Sequence, residues 1–159
     1  MLECTNLSIW ATLTQNLKDD LDIEPERRAL SIRASMLGRR FARCSTPVKI
    51  TLFKASCTSF YADSLWVNYT QRSYSALRVQ YNNAFRALLG LPRYCSASSM
   101  FAHAGVDSFP AILRKKASSL LRRVRGSRNS ILKAIADSGD CPLIWHMCDI
   151  TKSLLVIKY

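Results

Sequence analysis

Two stretches place carboxylates where two-metal nucleotidyl transfer would use them, beside an aromatic residue or as an adjacent pair. Tyr61-Ala62-Asp63-Ser64 follows the aromatic-x-Asp pattern, and Asp19-Asp20 supplies two neighbouring acids. That chemistry needs carboxylates holding two metal ions about 4 Å apart. The first stretch has one carboxylate and lies in a helical pattern. The second leads through Asp22, Glu24 and Glu26 into a helix, with no flanking strand. The expected roles are structural: Asp63 as a charge on a helix surface, Asp19-Asp20 as a solvated run favourable near a helix N-terminus. His103 and His146 have no readable Ser/Asp or Cys/Asp arrangement beside them. Cys141, His146 and Cys148 are close in sequence but lack a fourth ligand, and the six cysteines form no CxxC pair. Free thiols, no metal, no cofactor and no catalytic residue are expected.

Cations carry more information. From Arg27 to Lys133 there are 20 Lys+Arg and two acids, Asp63 and Asp107, a net of +18. Few ion pairs can form inside such a stretch, so most of these cations should face solvent or a ligand. Arg114, Ser118, Arg122 and Arg125 are spaced 4-4-3 on one helical face, flanked by Lys115 and Arg123 and continued by Arg128. With Lys116, seven cations between 114 and 128 meet no acid in that stretch, and five are arginines, whose planar fork matches phosphate oxygens. Arg39, Arg40 and Arg43 form a second cluster. Arg78 and Arg86, with Asn82 midway, form a third. Three basic faces without interleaved acids point to a polyanion, nucleic acid first.

The elements that hold these faces read as helices. Leu30, Ala34, Leu37, Phe41 and Cys44 mark the first, with Pro25 in its first turn and Gly38 inside it, there either to permit close packing or as a weak spot. Thr46-Pro47 opens a second, expected to run to about residue 66 and, being apolar on most sides, to be central. The third, about 73 to 89, presents Tyr74, Leu77, Tyr81, Phe85 and Leu88, and Gly90-Leu91-Pro92 ends it. A short turn near 98 to 103 follows. The next helix, opened by Asp107-Ser108 and Pro110, carries Phe109, Ile112, Leu113, Ala117, Leu120, Leu121 and Val124, and a last helix covers about 129 to 136. Beyond Gly139 the periodicity fails. The expectation is a compact all-α bundle of five or six helices: an irregular acidic lead-in (1–24), a basic helical domain (25–138) and a poorly structured tail (139–159).

Composition sets the outer limits. The 159 residues are 48% hydrophobic and 21% charged, with formal net charge +12, which describes a globular basic protein. No cationic leader precedes an apolar run, and no stretch of about 18 apolar residues exists. An intracellular setting, nucleus or cytoplasm, without membrane contact is expected.

Several blocks resemble a known family. Lys18-Asp19-Asp20-Leu21-Asp22-Ile23 followed by Arg27-Arg28-Ala29-Leu30 is similar to the acidic stretch and first helix after the palm in LINE-type (non-LTR) retrotransposon reverse transcriptases. Leu65-Trp66-Val67-Asn68-Tyr69, Tyr81-Asn82-Asn83-Ala84-Phe85-Arg86, Leu88-Leu89-Gly90-Leu91-Pro92-Arg93 and Arg122-Arg123-Val124-Arg125-Gly126-Ser127 resemble its downstream helices. The blocks follow family order over roughly residues 17 to 138. The resemblance implies a thumb-like region gripping primer-template, with the polymerase domain and its metal-binding acids upstream of residue 1, so that this chain is a fragment or remnant. The expected function is non-catalytic binding of RNA, DNA or their hybrid without sequence reading. The rivals are a helical module for an acidic protein partner and a remnant without function.

Overall fold

The computed structural model describes residues 19–60, 63–137 and 141–152. Among them are seven α-helices and one 3-10 turn, and no strand. The helices are α1 (Asp20–Arg40), α2 (Thr46–Cys57), α3 (Gln71–Leu89), α4 (Ala97–Ala104), α5 (Phe109–Arg125), α6 (Ser130–Asp137) and α7 (Pro142–Lys152), with the 3-10 turn at Asp63–Leu65. The all-α class is as expected, and the helix count exceeds five or six. None of the helices is long and apolar enough to cross a membrane. The described residues fall into two compact units. One is built from Leu21–Ala62 and Thr70–Leu113, the other from Asp63–Tyr69, Arg114–Tyr159 and the end of Met1–Asp20.

The first unit is centred on α3. Leu77, Tyr81, Ala84, Phe85 and Leu88 are buried at helical spacing and meet Phe53, Phe60, Phe101 and Phe109. Ring centroids are 5.2 Å apart for Phe53–Tyr81, 4.9 Å for Phe53–Phe85, 5.3 Å for Tyr81–Phe101 and 4.9 Å for Phe85–Phe101. Such pairs add about 0.5–1.5 kcal/mol each beyond the area they bury. Tyr81 places its hydroxyl 2.9 Å from the Asp107 carbonyl, so its one polar atom donates a hydrogen bond inside the aromatic cluster. Thr70 caps the start of α3 by accepting from the Ser73 N–H, and Gly90 (φ 68°) ends it in the left-handed region, as its C′ position predicts.

Two expectations for this unit are corrected. Helix α1 begins at Asp20, so residues 20–24 are not an irregular lead-in and Pro25 lies in the second turn rather than the first. Ion pairs favour the longer helix: Glu24 accepts from Arg27 (2.8 Å) and Arg28 (3.0 Å), and Glu26 from Arg33 (3.1 Å). The first of these hydrogen bonds, to Arg27, and then that to Arg28, hold the Glu24 carboxyl down at about 2. Helix α2 stops at Cys57 instead of continuing to residue 66: Thr58 is its C-cap, and Phe60 and Trp66 are buried outside the helix. Only Phe53 and Cys57 of α2 are buried, and Val48 is 44% exposed, so α3 takes the central place. The Cys57 thiol is wholly enclosed, and burial pushes it up to about 11.

The second unit packs the arginine-rich helix against the end of the chain. Ala117 and Leu121 of α5 meet Ile144 and Met147, with Leu120, Val124, Leu143, Cys148 and Ile150 around them. Residues 142–152 are therefore helix α7 where a poorly structured tail is expected. Proline at its first position and the 144-147-148-151 spacing are its helical signals. The Asp19 carboxylate accepts the N–H groups of Val67 (2.7 Å) and Asn68 (2.6 Å), fixing the segment that leads to Tyr69. Tyr69 in turn meets the His146 ring edge-on at 5.8 Å.

Candidate nucleic-acid interface

Arginines reach solvent in each unit because apolar residues occupy the other side of the same helix. In α5, Ile112, Leu113, Ala117 and Leu121 are buried. At about 100° per residue, Arg114, Ser118, Arg122 and Arg125 fall on the far side. Arg122, Arg123 and Arg125 are exposed, as are Lys115 and, past Gly126, Arg128; Arg114 is half-buried. Three of them stand in the last turn, where cations also complement the helix dipole by about 0.3–1 kcal/mol each. That benefit explains positive charge there without explaining five exposed cations in fourteen residues.

Lys116 departs from its neighbours. Its ammonium lies 2.8 Å from Oδ2 of Asp63, an acid only 7% exposed. Asp63 is therefore not a helix-surface charge. It stands in the 3-10 turn, and a buried carboxylate needs the cation beside it. Its partners in the aromatic-x-Asp stretch, Tyr61 and Ala62, lie outside the described residues, as does Cys4. Among the described residues no group of three or more His, Cys, Asp and Glu could hold a metal ion, and Cys44, Cys57, Cys95, Cys141 and Cys148 are free thiols.

Arg125 has a second setting. One Nη lies 3.7 Å from Cys148 Sγ, and the residue lines a pocket of about 210 Å³ with Ala136, Asp137, Ile144, Trp145, Cys148 and Asp149. Trp145 is 72% exposed. Nearby His146 is half-buried, and burial holds its imidazole below the ordinary 6.5 against the opposing pull of Asp149 and Asp19.

In the first unit Arg39 and Arg40 end α1, Arg43 follows, and Arg78 stands on α3, all exposed. Arg39 joins Ser31, Ala34, Ser35 and Gly38 of α1 and Gln80, Asn83, Ala84, Ala87 and Leu88 of α3 in lining an open groove of about 490 Å³. Small residues on both walls let the cation share a concave, polar surface with two side-chain amides. Arg86, assigned to phosphate on its spacing, is instead occupied within the fold: Nη2 and Nε donate to the Cys95 carbonyl at 2.9 and 3.2 Å, and Nη1 to Asn83 Oδ1 at 3.1 Å. The acids at the start of α1 also absorb Arg27, Arg28 and Arg33. The structure thus sorts the cations. Arg39, Arg40, Arg43, Arg78, Arg122, Arg123 and Arg128 are exposed with no ion pair among the described residues, whereas Lys116, Arg27, Arg28 and Arg33 are neutralised.

Trp145 and Asp149 escaped the sequence reading because residues 141–159 showed no clear period. The signal that could have found Trp145 was its place among Ile144, Met147 and Cys148, which puts it on the outer face of any helix drawn there. Comparison of the chain with protein-family models, with curated proteins and with solved structures finds no match in any of the three.

Proposed function

We propose that this protein binds nucleic acid without reading its sequence, through exposed arginines presented separately by its two units. The observation that carries this is the set Arg122, Arg123 and Arg128 on one unit and Arg39, Arg40, Arg43 and Arg78 on the other, exposed and without carboxylate partners among the described residues. Between Arg27 and Lys133 the only acids are Asp63, which is buried, and Asp107, so most of the cations there lack an acid to meet, and a polyanion supplies the missing countercharge. Guanidinium groups neutralise phosphates and release condensed counterions, so affinity comes from the backbone and is nearly independent of sequence. The block order shared with LINE-type reverse transcriptases supports a thumb-like piece of such an enzyme, one that holds primer-template and performs no chemistry itself.

Salt-dependent binding tests this. Fluorescence anisotropy with a hybrid duplex and with single strands should give micromolar or tighter affinity in 50 mM salt, falling by about two orders of magnitude at 200 mM if four phosphates are neutralised. Replacing Arg114, Lys115, Arg122 and Arg125 with Gln should flatten the slope and leave helicity unchanged. Absence of binding to every probe below about 10 μM in 50 mM salt overturns the reading and favours an acidic protein as the partner.

A further inference from the structure

The pocket beside Arg125 differs from the phosphate-facing arginines in chemistry. Its volume of about 210 Å³ is below the roughly 300 Å³ at which pockets begin to take drug-sized ligands, a size that suits a single small ring system. One wall is the indole of Trp145, 72% exposed at the surface of α7. Leaving so large an aromatic in water is unfavourable, and its flat face is the surface on which bases stack. The polar lining is mixed: Asp137 and Asp149 carry negative charge, and Arg125 alone is positive. Two carboxylates repel a phosphate from the pocket itself but accept N–H groups from the edge of a ring. Arg125 and, one turn earlier on α5, Arg122 then leave a phosphate outside the pocket at its rim.

We propose that this pocket is a binding site for an unpaired nucleobase of single-stranded nucleic acid, stacked on Trp145 with Asp137 or Asp149 accepting from its amino edge and Arg125 holding the adjacent phosphate. The inference rests on the nucleic-acid reading above and adds to it a preference for strand form and base class. A duplex keeps its bases stacked and its amino groups paired, so it engages the arginines only. Cytosine and adenine offer an exocyclic amine to a carboxylate. Thymine and uracil offer carbonyl oxygens on either side of a single ring N–H, and the carboxylate repels these.

The test compares single strands of about ten nucleotides with a duplex of similar length by fluorescence anisotropy, using the whole protein. Trp145→Ala should weaken binding to oligo(dC) about tenfold, leave duplex affinity and the salt slope unchanged, and be largely rescued by Trp145→Phe. An abasic strand should bind wild type as oligo(dC) binds Trp145→Ala. The wild-type preference for oligo(dC) over oligo(dT), about fivefold, should vanish in Asp137→Asn combined with Asp149→Asn. If wild type binds with the expected salt slope but Trp145→Ala matches it on every strand, or weakens duplex and single strand equally, the pocket assignment is wrong and the arginine reading survives. Binding to no probe removes both. Displacement of oligo(dC) by an equal concentration of cytidine monophosphate overturns the assignment to a strand in favour of a free nucleotide.

Discussion

Lys116 and Asp63 meet at 2.8 Å, one third exposed on the cation's side and almost fully buried on the acid's. Fifty-three positions separate them in the chain, and the buried carboxylate is not a charge that solvent alone could satisfy. Removing the lysine leaves a carboxylate in a low-dielectric site. A fully buried pair broken in this way costs about 3–5 kcal/mol, and the partly exposed lysine lowers the expected loss to about 2–3 kcal/mol. Urea titration of Lys116→Met should show that loss, and the double variant Lys116→Met, Asp63→Leu should recover most of it. Equal stability of Lys116→Met and wild type would place Asp63's countercharge elsewhere.

The two ends of the pH scale should act on different units. In the second unit the folded state favours neutral His146, whose Nε2 is buried with no hydrogen-bond partner among the described residues. The unfolded chain then binds the proton first, so this contribution is complete above pH 6.5 and is lost as pH falls below it. In the first unit burial raises Tyr81 above its usual 10 and Cys57 from 9.0 to about 11. Both contributions are complete below pH 9; that of Cys57 is lost as pH rises through 11, and that of Tyr81 as pH rises above 10. Urea midpoints across pH should show a flatter acid limb for His146→Phe and a flatter alkaline limb for Tyr81→Phe. Unaltered limbs in both variants would assign the pH dependence to other groups.

Gly38 and Gly90 should respond to alanine with opposite signs. A Cβ added at Gly38, inside α1, meets nothing within 4 Å, so the residue is a weak spot and not a close-packing contact. Gly38→Ala should stabilise by up to about 1 kcal/mol. Gly90 has φ of 68°, where an L side chain costs about 1–2 kcal/mol. Thermal melts should separate the two by several degrees, and a destabilising Gly38→Ala would show that the groove walls need the smaller residue.

Arg78 and Arg86 sit two turns apart on α3, yet their substitution should be read by different instruments. Arg86→Gln loses the donors to the Cys95 carbonyl and should cost about 1–3 kcal/mol with the salt slope of binding unchanged. Arg78→Gln should leave stability within about 0.5 kcal/mol and lower the slope by about 0.9 if it contacts one phosphate of a duplex. The reverse assignment would mean that Arg86 trades its carbonyl for phosphate on binding.

Helices α3 and α5 were legible because strong apolar stripes coincide with unambiguous stops: Leu77, Tyr81, Phe85 and Leu88 before Gly90-Leu91-Pro92, and Ile112, Leu113, Ala117 and Leu121 before Gly126. The boundary of α2 was not, since Phe60 and Trp66 are buried while lying outside the helix. Periodicity reports burial, and here tertiary contacts buried residues that belong to loops. Exposure of the α5 arginines followed from the same stripe that buried its other face. The fates of Arg86 and Lys116 did not, because each depends on a distant carbonyl or carboxylate that spacing along one helix cannot locate.

Cys57 gives the first unit an internal stopwatch. Its thiol is enclosed and resists ionisation, so an alkylating reagent can reach it only when the aromatic cluster opens. Half-buried Cys44 and Cys95 in the same unit need no such opening and serve as the reference for intrinsic reactivity. The ratio of labelling rates then reads the free energy of that opening directly, position by position on a peptide map. Any ligand that stabilises the unit against this opening should slow Cys57 relative to Cys95, which turns one silent thiol into a measure of binding.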